Sequence, residues 1–340
     1  RLQGVLDVAV LERSLSELAR RHESLRTTFA LRDSQPLQFI AEPQALHLTV
    51  EDLSHLPEAE REAEASHLAR AEGQQPFALS VGPLWRTKLL KLSDTEHVLL
   101  LTLHHIIADG WSMRVLFGEL SRLYNAFSED RPSPLAELPV QYADYAVWQR
   151  QHLQGEVLER QLGYWRKQLA AAPVLLALPT DHPRPAVQSY RGAIESFAVP
   201  AEISQQVKAV SRDEGVTPFM TFLAAFYILL SRYSGQEDLV VGTDIANRTR
   251  SEIEPLIGFF ANTLPLRADL SGKPSFRKLL RQIRETCIEA YAHQEIPFEK
   301  LVEELQPERS LSHQPLFQVL FQLLNGARES HSIAGLSSDS

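Results

Sequence analysis

The sequence predicts an α/β protein made of two sandwich lobes, each with strands covered by helices. Apolar residues recur at helical spacing in some segments and form short continuous or alternating runs in others, and both patterns occur in each half of the chain. A proline-rich segment separates the halves, and 340 residues are many for one hydrophobic core. We therefore expect an N-terminal lobe at residues 1–172, a linker at 173–190 and a C-terminal lobe at 191–340.

Helices and strands alternate along the first predicted lobe. Leu11, Leu15 and Leu18 recur at helical spacing, and SLRTTFA, LQFI and LHLTV after them predict strands. The charged residues 57–73 predict a surface helix, because both signs of charge are mixed along it. WRTKLLKL and HVLLLTLHH flank the turn SDTE and predict a hairpin. An apolar stripe in MRVLFGELSRLYNAF predicts a helix, and residues 140–171 predict two more.

The predicted linker, APVLLALPTDHPRPAVQS, contains four prolines, which stiffen the chain and remove backbone donors. Beyond it, AIESFAV predicts a strand, and a helix follows that ends near Gly215. Thr217 is placed to cap the next helix, in TPFMTFLAAFYILLSRYSG, and Gly235 to end it. DLVVGTDIA and FFANTLPLRADL predict buried strands, helices are expected from Ser275 and Pro297, and LFQVLFQLL predicts a last strand.

The composition is that of a globular protein, with 44% hydrophobic and 23% charged residues, and no apolar stretch approaches the ~20 residues of a membrane span. A formal net charge of -9 disfavours broad binding to nucleic acid. The one cysteine, Cys287, excludes an internal disulfide and lies in a helical apolar pattern. We expect a buried structural thiol in a cytoplasmic protein that binds neither nucleic acid nor a membrane.

The stretch LHHIIADGWS places polar side chains at the end of a predicted strand. Side chains alternate along a strand, so His104 and His105 are expected on opposite faces, with only one in a given cleft. A neutral imidazole accepts protons near neutral pH, which suits a general base, although a histidine at a strand end is also often a satisfied core residue. Asp109 can pin the loop by pairing with an arginine, and Gly110 can take a positive φ. A metal site is disfavoured, because diverging histidines lack further ligands nearby.

LHHIIADGWS resembles the HHxxxDG signature of condensation domains from nonribosomal peptide synthetases. Five further segments resemble other motifs of that family and occur in the family's order. RHESLRTTF resembles the second motif, YADYAVW the fourth and IGFFANTLPLR the fifth, while HQEIPFEKLVEEL resembles the sixth and RSLSHQPLFQVLF the seventh. The first motif and the stretch after the seventh have no counterpart, so the resemblance implies a fold truncated at both ends.

The resemblance implies two lobes similar to chloramphenicol acetyltransferase, arranged as a V-shaped pseudo-dimer around a tunnel. It also implies amide formation between an upstream acyl or peptidyl thioester and the α-amino group of a downstream aminoacyl thioester. Upstream and downstream peptidyl carrier proteins would deliver both substrates on phosphopantetheine arms, next to an adenylation domain, and the domain itself would bind no cofactor or metal. The forms HHIIADGWS and VGTDIANR are more similar to the type that acts on L-configured donors.

By motif position, the resemblance makes His105 the catalytic residue, with His104, Asp109 and Gly110 beside it in the signature. We expect a mixed role for His105, since the α-amino group is largely able to attack unaided and becomes acidic only after it bonds to carbon. Proximity of two tethered substrates should supply much of the rate. Asp109 is similar to the family's structural aspartate, and Gly110 is expected to serve backbone shape and substrate access.

Four residues are expected to support the site. Arg248 and Arg26 are the candidate partners of Asp109, and Arg248 is favoured. Trp111 is expected in the core, with tunnel lining as the alternative. Asn262 is expected either to hydrogen-bond near the site or to stabilise a turn.

Other functions remain open at this stage. An epimerization domain shares HHxxxDG but has a serine-tryptophan order after it, whereas here Trp111 precedes Ser112. Heterocyclization domains have aspartate in place of the histidines. A coenzyme A-dependent acyltransferase would keep the histidine but should lack the later motifs. A non-catalytic module that docks carrier proteins is the alternative from a different functional class.

Overall fold

The computed structural model of the chain describes residues 1–189, 191–307 and 310–324, and the backbone of residues 337–338. Residues 325–336 and 339–340 of the predicted C-terminal lobe, and Arg309 at the start of the seventh motif, lie outside the described residues. Within the described part, helices and strands occur together in both halves of the chain, so the predicted mixed α/β class is confirmed.

The strands, in chain order, are β1 (Leu2–Gln3), β2 (Thr27–Arg32), β3 (Gln35–Ile40), β4 (Thr49–Asp52), β5 (Trp85–Ser93), β6 (Glu96–Leu103), β7 (Asp238–Ile245), β8 (Asn262–Asp269) and β9 (Ser337–Ser338). The helices, in the same order, are α1 (Val8–Arg21), α2 (Glu58–Gln74), α3 (Gly110–Phe127), α4 (Tyr142–His152), α5 (Gly155–Gln168), α6 (Ala201–Asp213), α7 (Pro218–Ser234), α8 (Phe276–Ala292) and α9 (Phe298–Leu305).

Local signals at the ends of α7 act as predicted. The hydroxyl of Thr217 accepts a hydrogen bond from the backbone N–H of Met220, which satisfies an amide that has no partner within the helix. At the other end, Gly235 takes a left-handed conformation with φ 73°, and its N–H donates to the carbonyl of Ser231. The predicted bounds of this helix are therefore confirmed.

The chain forms two compact units. The first contains Arg1–Arg150 and Arg248–Phe260, together with β9, and the second contains Gln151–Asn247 and residues 261–324. This division comes earlier than the predicted linker, because α5 packs with the second unit. Leu162 and Trp165 of α5 are fully buried there.

The first unit is built on a sheet of order β4-β5-β6-β1-β9, in which only β4 and β5 run parallel. The predicted β5–β6 hairpin is present, and α1 and α3 bury their apolar stripes in one cluster with β5 and Leu84. A smaller cluster of Ala65, Leu90 and Leu92 joins α2 to the same hairpin. Side chains of β6 pack against both clusters, and β6 leads directly into the histidine loop.

In the second unit, β7 and β8 pair antiparallel along their whole length, and α7 and α8 bury their apolar faces with them. Cys287 of α8 is fully buried, and burial raises the pKa of its thiol to about 12, so it is a core residue as predicted. No single described helix is long and apolar enough to cross a membrane; α6 and α7 pass that test only as a pair that bends by 107°.

Two predicted strands do not form. AIESFAV is not part of any described strand, and Ile194 is 92% and Phe197 87% exposed. In LFQVLFQLL, pairing is limited to an isolated parallel bridge between Leu320 and Gly242. Both predictions were wrong for the same reason: a strand needs the edge of a neighbouring strand, and residue pattern does not report whether one is present. Residues 173–189 of the predicted linker contain no helix or strand, and the backbone N–H of Leu176 within it donates to the side-chain oxygen of Gln318.

Candidate active site

The candidate site is the loop between β6 and α3. Strand β6 ends at Leu103, and the next two residues, His104 and His105, lie in the turn that follows it. The expectation that strand alternation separates them was therefore wrong, because the strand has already ended. They nevertheless meet different neighbours, since the ring of His104 lies against Phe77 and that of His105 against Phe259.

The imidazole of His105 is exposed, and one of its two nitrogens is engaged. Nδ1 lies 2.8 Å from the carbonyl oxygen of Ala108. A carbonyl oxygen only accepts, so Nδ1 carries the hydrogen and donates it. In the neutral ring, Nε2 is then the nitrogen with the lone pair, which is the state that a general base requires. Exposure also excludes a role for His105 as a sealed core residue.

His104 shapes the turn. Its Nδ1 accepts a hydrogen bond of 3.0 Å from the backbone N–H of Ile106, and its ring is partly buried with its edge toward Phe77 at 5.8 Å. Its own backbone N–H donates to the carbonyl of Leu84. These contacts connect the loop to the sheet, so they support a structural contribution for this histidine.

Asp109 is buried and organises the loop around its carboxylate. It is the N-cap of α3, and its Oδ1 accepts from the backbone N–H of Ser112 at 2.8 Å and from the Ser112 hydroxyl at 2.7 Å. Oδ1 also lies 3.2 Å from Nη2 of Arg248, and Oδ2 accepts from the N–H of Phe260 at 3.0 Å. The structure therefore pairs Asp109 with Arg248 rather than with Arg26, and several donors balance the cost of burying the charge.

Arg248 fastens the segment 248–260 to the loop. Its Nη1 donates to the carbonyls of Ile253 at 2.6 Å and Leu256 at 2.7 Å, and its guanidinium lies 4.1 Å from the centroid of the Phe260 ring. Burial lowers the pKa of Arg248, and the charge and hydrogen bond of Asp109 oppose that shift. One cation thus joins the carboxylate of the signature to the segment 248–260, which leads into the fifth motif.

Gly258, Phe259 and Tyr142, which sequence reasoning did not select, complete this arrangement. The N–H of Gly258 donates to Oγ of Ser112 at 3.0 Å, and the hydroxyl of Tyr142 donates to the carbonyl of Phe259 at 2.8 Å. A Cβ at position 258 would overlap the Tyr142 ring, so the close approach requires glycine. The fourth and fifth motifs contain these residues, but the motifs do not indicate which side chains meet.

Gly110 and Trp111 differ from their predictions. Gly110 is the first residue of α3 and does not have a positive φ, so the expected backbone role was wrong; a Cβ there would meet nothing within 4 Å. Trp111 is partly buried and is not part of the core, because its Nε1 donates to the carbonyl of Glu254 at 2.9 Å and its ring lies 4.3 Å from the Arg114 guanidinium. The prediction of a core tryptophan was wrong as well.

The last two predicted residues lie elsewhere. Arg26 donates to the carbonyl of Ala41 in the first unit. Asn262, in the second unit, donates to the carbonyls of Gln294 at 2.9 Å and Ile296 at 2.8 Å, and accepts from the N–H of Phe298 at 2.9 Å. Of the two roles proposed for Asn262, these bonds support the stabilisation of a turn.

The geometry at His105 suits proton transfer. In the part of the chain that the structure describes, no group of three or more histidine, cysteine or acidic side chains is arranged to hold a metal ion. The oxygens of Asp109 are directed to protein donors, while the exposed His105 offers a nitrogen to an incoming molecule.

Comparison with known proteins shows the family of the chain. Residues 1–338 match the family model for the "Condensation domain". The chain belongs to the condensation domain family. Among its relatives, one of the linear gramicidin synthase proteins of Brevibacillus parabrevis is 57% identical over 96% of the chain, and chondramide synthase cmdD of Chondromyces crocatus is 47% identical over 99%. The condensation domain spans only 4% and 9% of the length of these two relatives.

Solved structures agree with this assignment. The X-domain from teicoplanin biosynthesis has 36% sequence identity and a TM-score of 0.86, with 94% of this chain and 70% of that chain covered. The condensation domain from the monacolin K polyketide synthase MokA has 25% identity and the same TM-score, with 100% and 78% covered. The α/β fold of this condensation domain is therefore that of its family, and its relatives include nonribosomal peptide synthetases.

Proposed function

We propose that this condensation domain forms an amide bond between an upstream acyl or peptidyl thioester and the α-amino group of a downstream aminoacyl thioester, with an L-configured donor. The observation that carries the proposal is the exposed His105, whose Nδ1–H is held by the Ala108 carbonyl so that Nε2 is the basic nitrogen. Membership of the condensation family supports the reaction class, and the signature LHHIIADGWS supports the L-donor type.

In the proposed reaction, the amine nitrogen attacks the thioester carbonyl carbon, and a C–N bond forms. The tetrahedral intermediate then expels sulfur, so the C–S bond breaks. The attacking nitrogen must lose one proton and the departing sulfur gains one. Nε2 of His105 accepts the proton once the nitrogen has bonded to carbon, because the nitrogen is then far more acidic, and it can return a proton to the thiolate. Holding both reactants together supplies a further part of the rate.

The substrates in this proposal arrive as thioesters on the phosphopantetheine arms of upstream and downstream peptidyl carrier proteins, beside an adenylation domain. The domain itself needs no bound cofactor, because a thioester is already activated toward an amine. This chain matches only a small part of its long relatives, which supports partner domains within the same synthetase. The cytoplasmic setting remains a prediction based on the unpaired Cys287.

Replacement of His105 by alanine tests the proposal. Single-turnover amide formation is measured with carrier proteins charged with L-amino acids, and thermal unfolding is measured in parallel. We expect the rate to fall by about 10²- to 10⁴-fold with little change in the unfolding temperature, because the ring is exposed. His47→Ala is the matched control, since that side chain is 92% exposed and lies outside the loop. Equal rates for wild type and His105→Ala would contradict the assignment.

A non-catalytic docking role is the second candidate. It is favoured by one comparison: the related teicoplanin X-domain, 35% identical, is described in complex with OxyB. Under this alternative, the domain binds charged carrier proteins but the wild type produces no amide. Binding measured by calorimetry, in the same samples as the single-turnover assay, separates the two functions.

A further inference from the structure

The ring of Phe259 lies directly against the imidazole of His105. Their centroids are 5.0 Å apart and the ring planes meet at 72°, which is an edge-to-face contact. Both residues belong to the first unit, and Phe259 is only partly buried, so its ring reaches the same exposed region as His105. The neighbouring Phe260 is instead buried, packed with Tyr142 and Tyr145.

Hydrogen bonds hold the backbone of Phe259 on both sides. The residue before it, Gly258, donates its N–H to Ser112, and the residue after it, Phe260, donates its N–H to Asp109. The carbonyl of Phe259 itself accepts from the hydroxyl of Tyr142 at 2.8 Å. Ser112 and Asp109 stand at the start of α3, so the same helix end that follows the histidine loop also fixes the segment that presents Phe259.

The imidazole of His105 needs a second contact to have one orientation. Its hydrogen bond to the Ala108 carbonyl fixes Nδ1, but a single hydrogen bond leaves an exposed ring able to tilt about that point. The ring of Phe259 occupies one side of the imidazole and restricts that tilt. Orientation matters, because a misplacement of about 1 Å at a reacting group can cost about 100-fold in rate.

We propose that Phe259 is a positioning residue that sets the orientation of the His105 imidazole for proton transfer. The inference rests on the proposed role of His105. It also assigns a function to the carboxylate of Asp109 beyond its pairing with Arg248: through the N–H of Phe260 it holds the segment on which Phe259 is presented.

Two readouts test this inference, and one does not depend on activity. In protein labelled with ¹³C-histidine, the His105 ring signal is assigned by its absence from His105→Ala. We expect Phe259→Ala to shift that signal, because the ring current of the phenylalanine is lost. We also expect the single-turnover rate to fall by about 10- to 100-fold at unchanged affinity for the charged carrier proteins. Phe259→Tyr should keep both the His105 signal and the rate close to those of the wild type, since it retains the aromatic ring.

Two further variants separate positioning from general stability. Phe39→Ala removes an exposed phenylalanine of β3, and it should leave the His105 signal and the rate unchanged. Tyr142→Phe keeps every ring but removes the hydroxyl that holds the Phe259 carbonyl, so a smaller loss of rate is expected. An unshifted His105 signal in Phe259→Ala, or a shifted signal with a wild-type rate, would overturn the inference. If His105→Ala itself retains full activity, the proposed function fails, while the shift still reports the contact.

Discussion

The carboxylate of Asp109 shows how one buried residue can serve two purposes. It caps the first turn of α3 through Ser112, and it also binds Arg248, which lies 139 residues away in sequence. Both side chains of this pair are almost fully buried, with 2% of Asp109 and 1% of Arg248 exposed. A buried ion pair adds little net stability, but it gives a defined geometry and is costly to break from one side only.

Arg248→Met should destabilise the first unit, because it leaves the Asp109 carboxylate buried without its cation. We expect the free energy of unfolding to fall by about 3–5 kcal/mol, measured by chemical denaturation at neutral pH. A second change, Asp109→Asn, should recover part of that loss by removing the unpaired charge.

The control for this prediction is Arg131→Met. Arg131 pairs with Glu129, and both side chains are more than half exposed, so the loss should be no more than about 1 kcal/mol. A loss of similar size in both variants would show that burial of the Asp109 pair has no special cost.

At the scale of elements, α1 and α3 are joined by a buried acidic group. Glu119 of α3 accepts from Nε of Arg21 at 3.0 Å and lies 2.7 Å from Nε2 of His22, directly after α1. The N–H of Ile257 donates to the other ring nitrogen of His22 at 3.3 Å, so the chain of contacts extends to the fifth motif. Helix α3, which Asp109 caps, is thereby held at a second residue, Glu119.

This group predicts an acid-sensitive contribution to stability. Burial, the largest influence, raises the pKa of Glu119, but the hydrogen bonds from His22 and Arg21 and the positive charge of Arg21 outweigh it and lower the pKa overall. The unfolded chain then binds more protons than the folded one as the pH falls below the ordinary glutamate range near ~4.3. The stability that Glu119 contributes is therefore present above that range and is lost as the pH falls through its lowered pKa.

Glu119→Gln should lower the free energy of unfolding by about 3–5 kcal/mol at neutral pH, because the buried Arg21 loses its anionic partner. The difference should shrink as the pH falls below the glutamate range, and urea denaturation at a series of pH values measures it. Glu129→Gln, at an exposed side chain, serves as the control. Its difference in unfolding free energy from the wild type should not shrink as the pH falls. A constant difference between Glu119→Gln and the wild type at every pH would contradict the lowered pKa.

At the scale of the whole molecule, the two units have separate cores. Segment 248–260 leaves the chain of the second unit after β7 and contributes Ile257 to the core of the first, before the chain continues into β8. Residues 191–200 are different, because their apolar side chains are largely exposed and they do not belong to any described strand.

Limited proteolysis should detect that difference. We expect chymotrypsin to cut after Phe197 early in the reaction, because its side chain is 87% exposed and a protease needs an extended, accessible backbone. Phe260, which is 2% exposed, should resist cleavage under the same conditions. Mass spectrometry of the first fragments shows which of the two bonds is cleaved earlier. An early cut after Phe260 would show that segment 248–260 is not packed as described.

Sequence patterns predicted those structural features whose physical cause lies in neighbouring residues. The cap at Thr217, the stop at Gly235 and the β5–β6 hairpin follow from neighbouring residues, and all are present. The predicted strands AIESFAV and LFQVLFQLL failed because strand pairing needs a distant partner. Gly110 was expected to turn the chain sharply, but Asp109 caps a helix there, and a helix begins at Gly110 with an ordinary φ.

The sequence by itself determined the α/β class, the family to which the chain belongs and the choice of His105, because ordered motifs and local periodicity are properties of neighbouring residues. Only the tertiary structure decided that Asp109 is shared by Arg248, Ser112 and Phe260, and that Phe259 meets His105. Several of these contacts join residues more than a hundred positions apart, and only the packing of the folded chain brings such residues together.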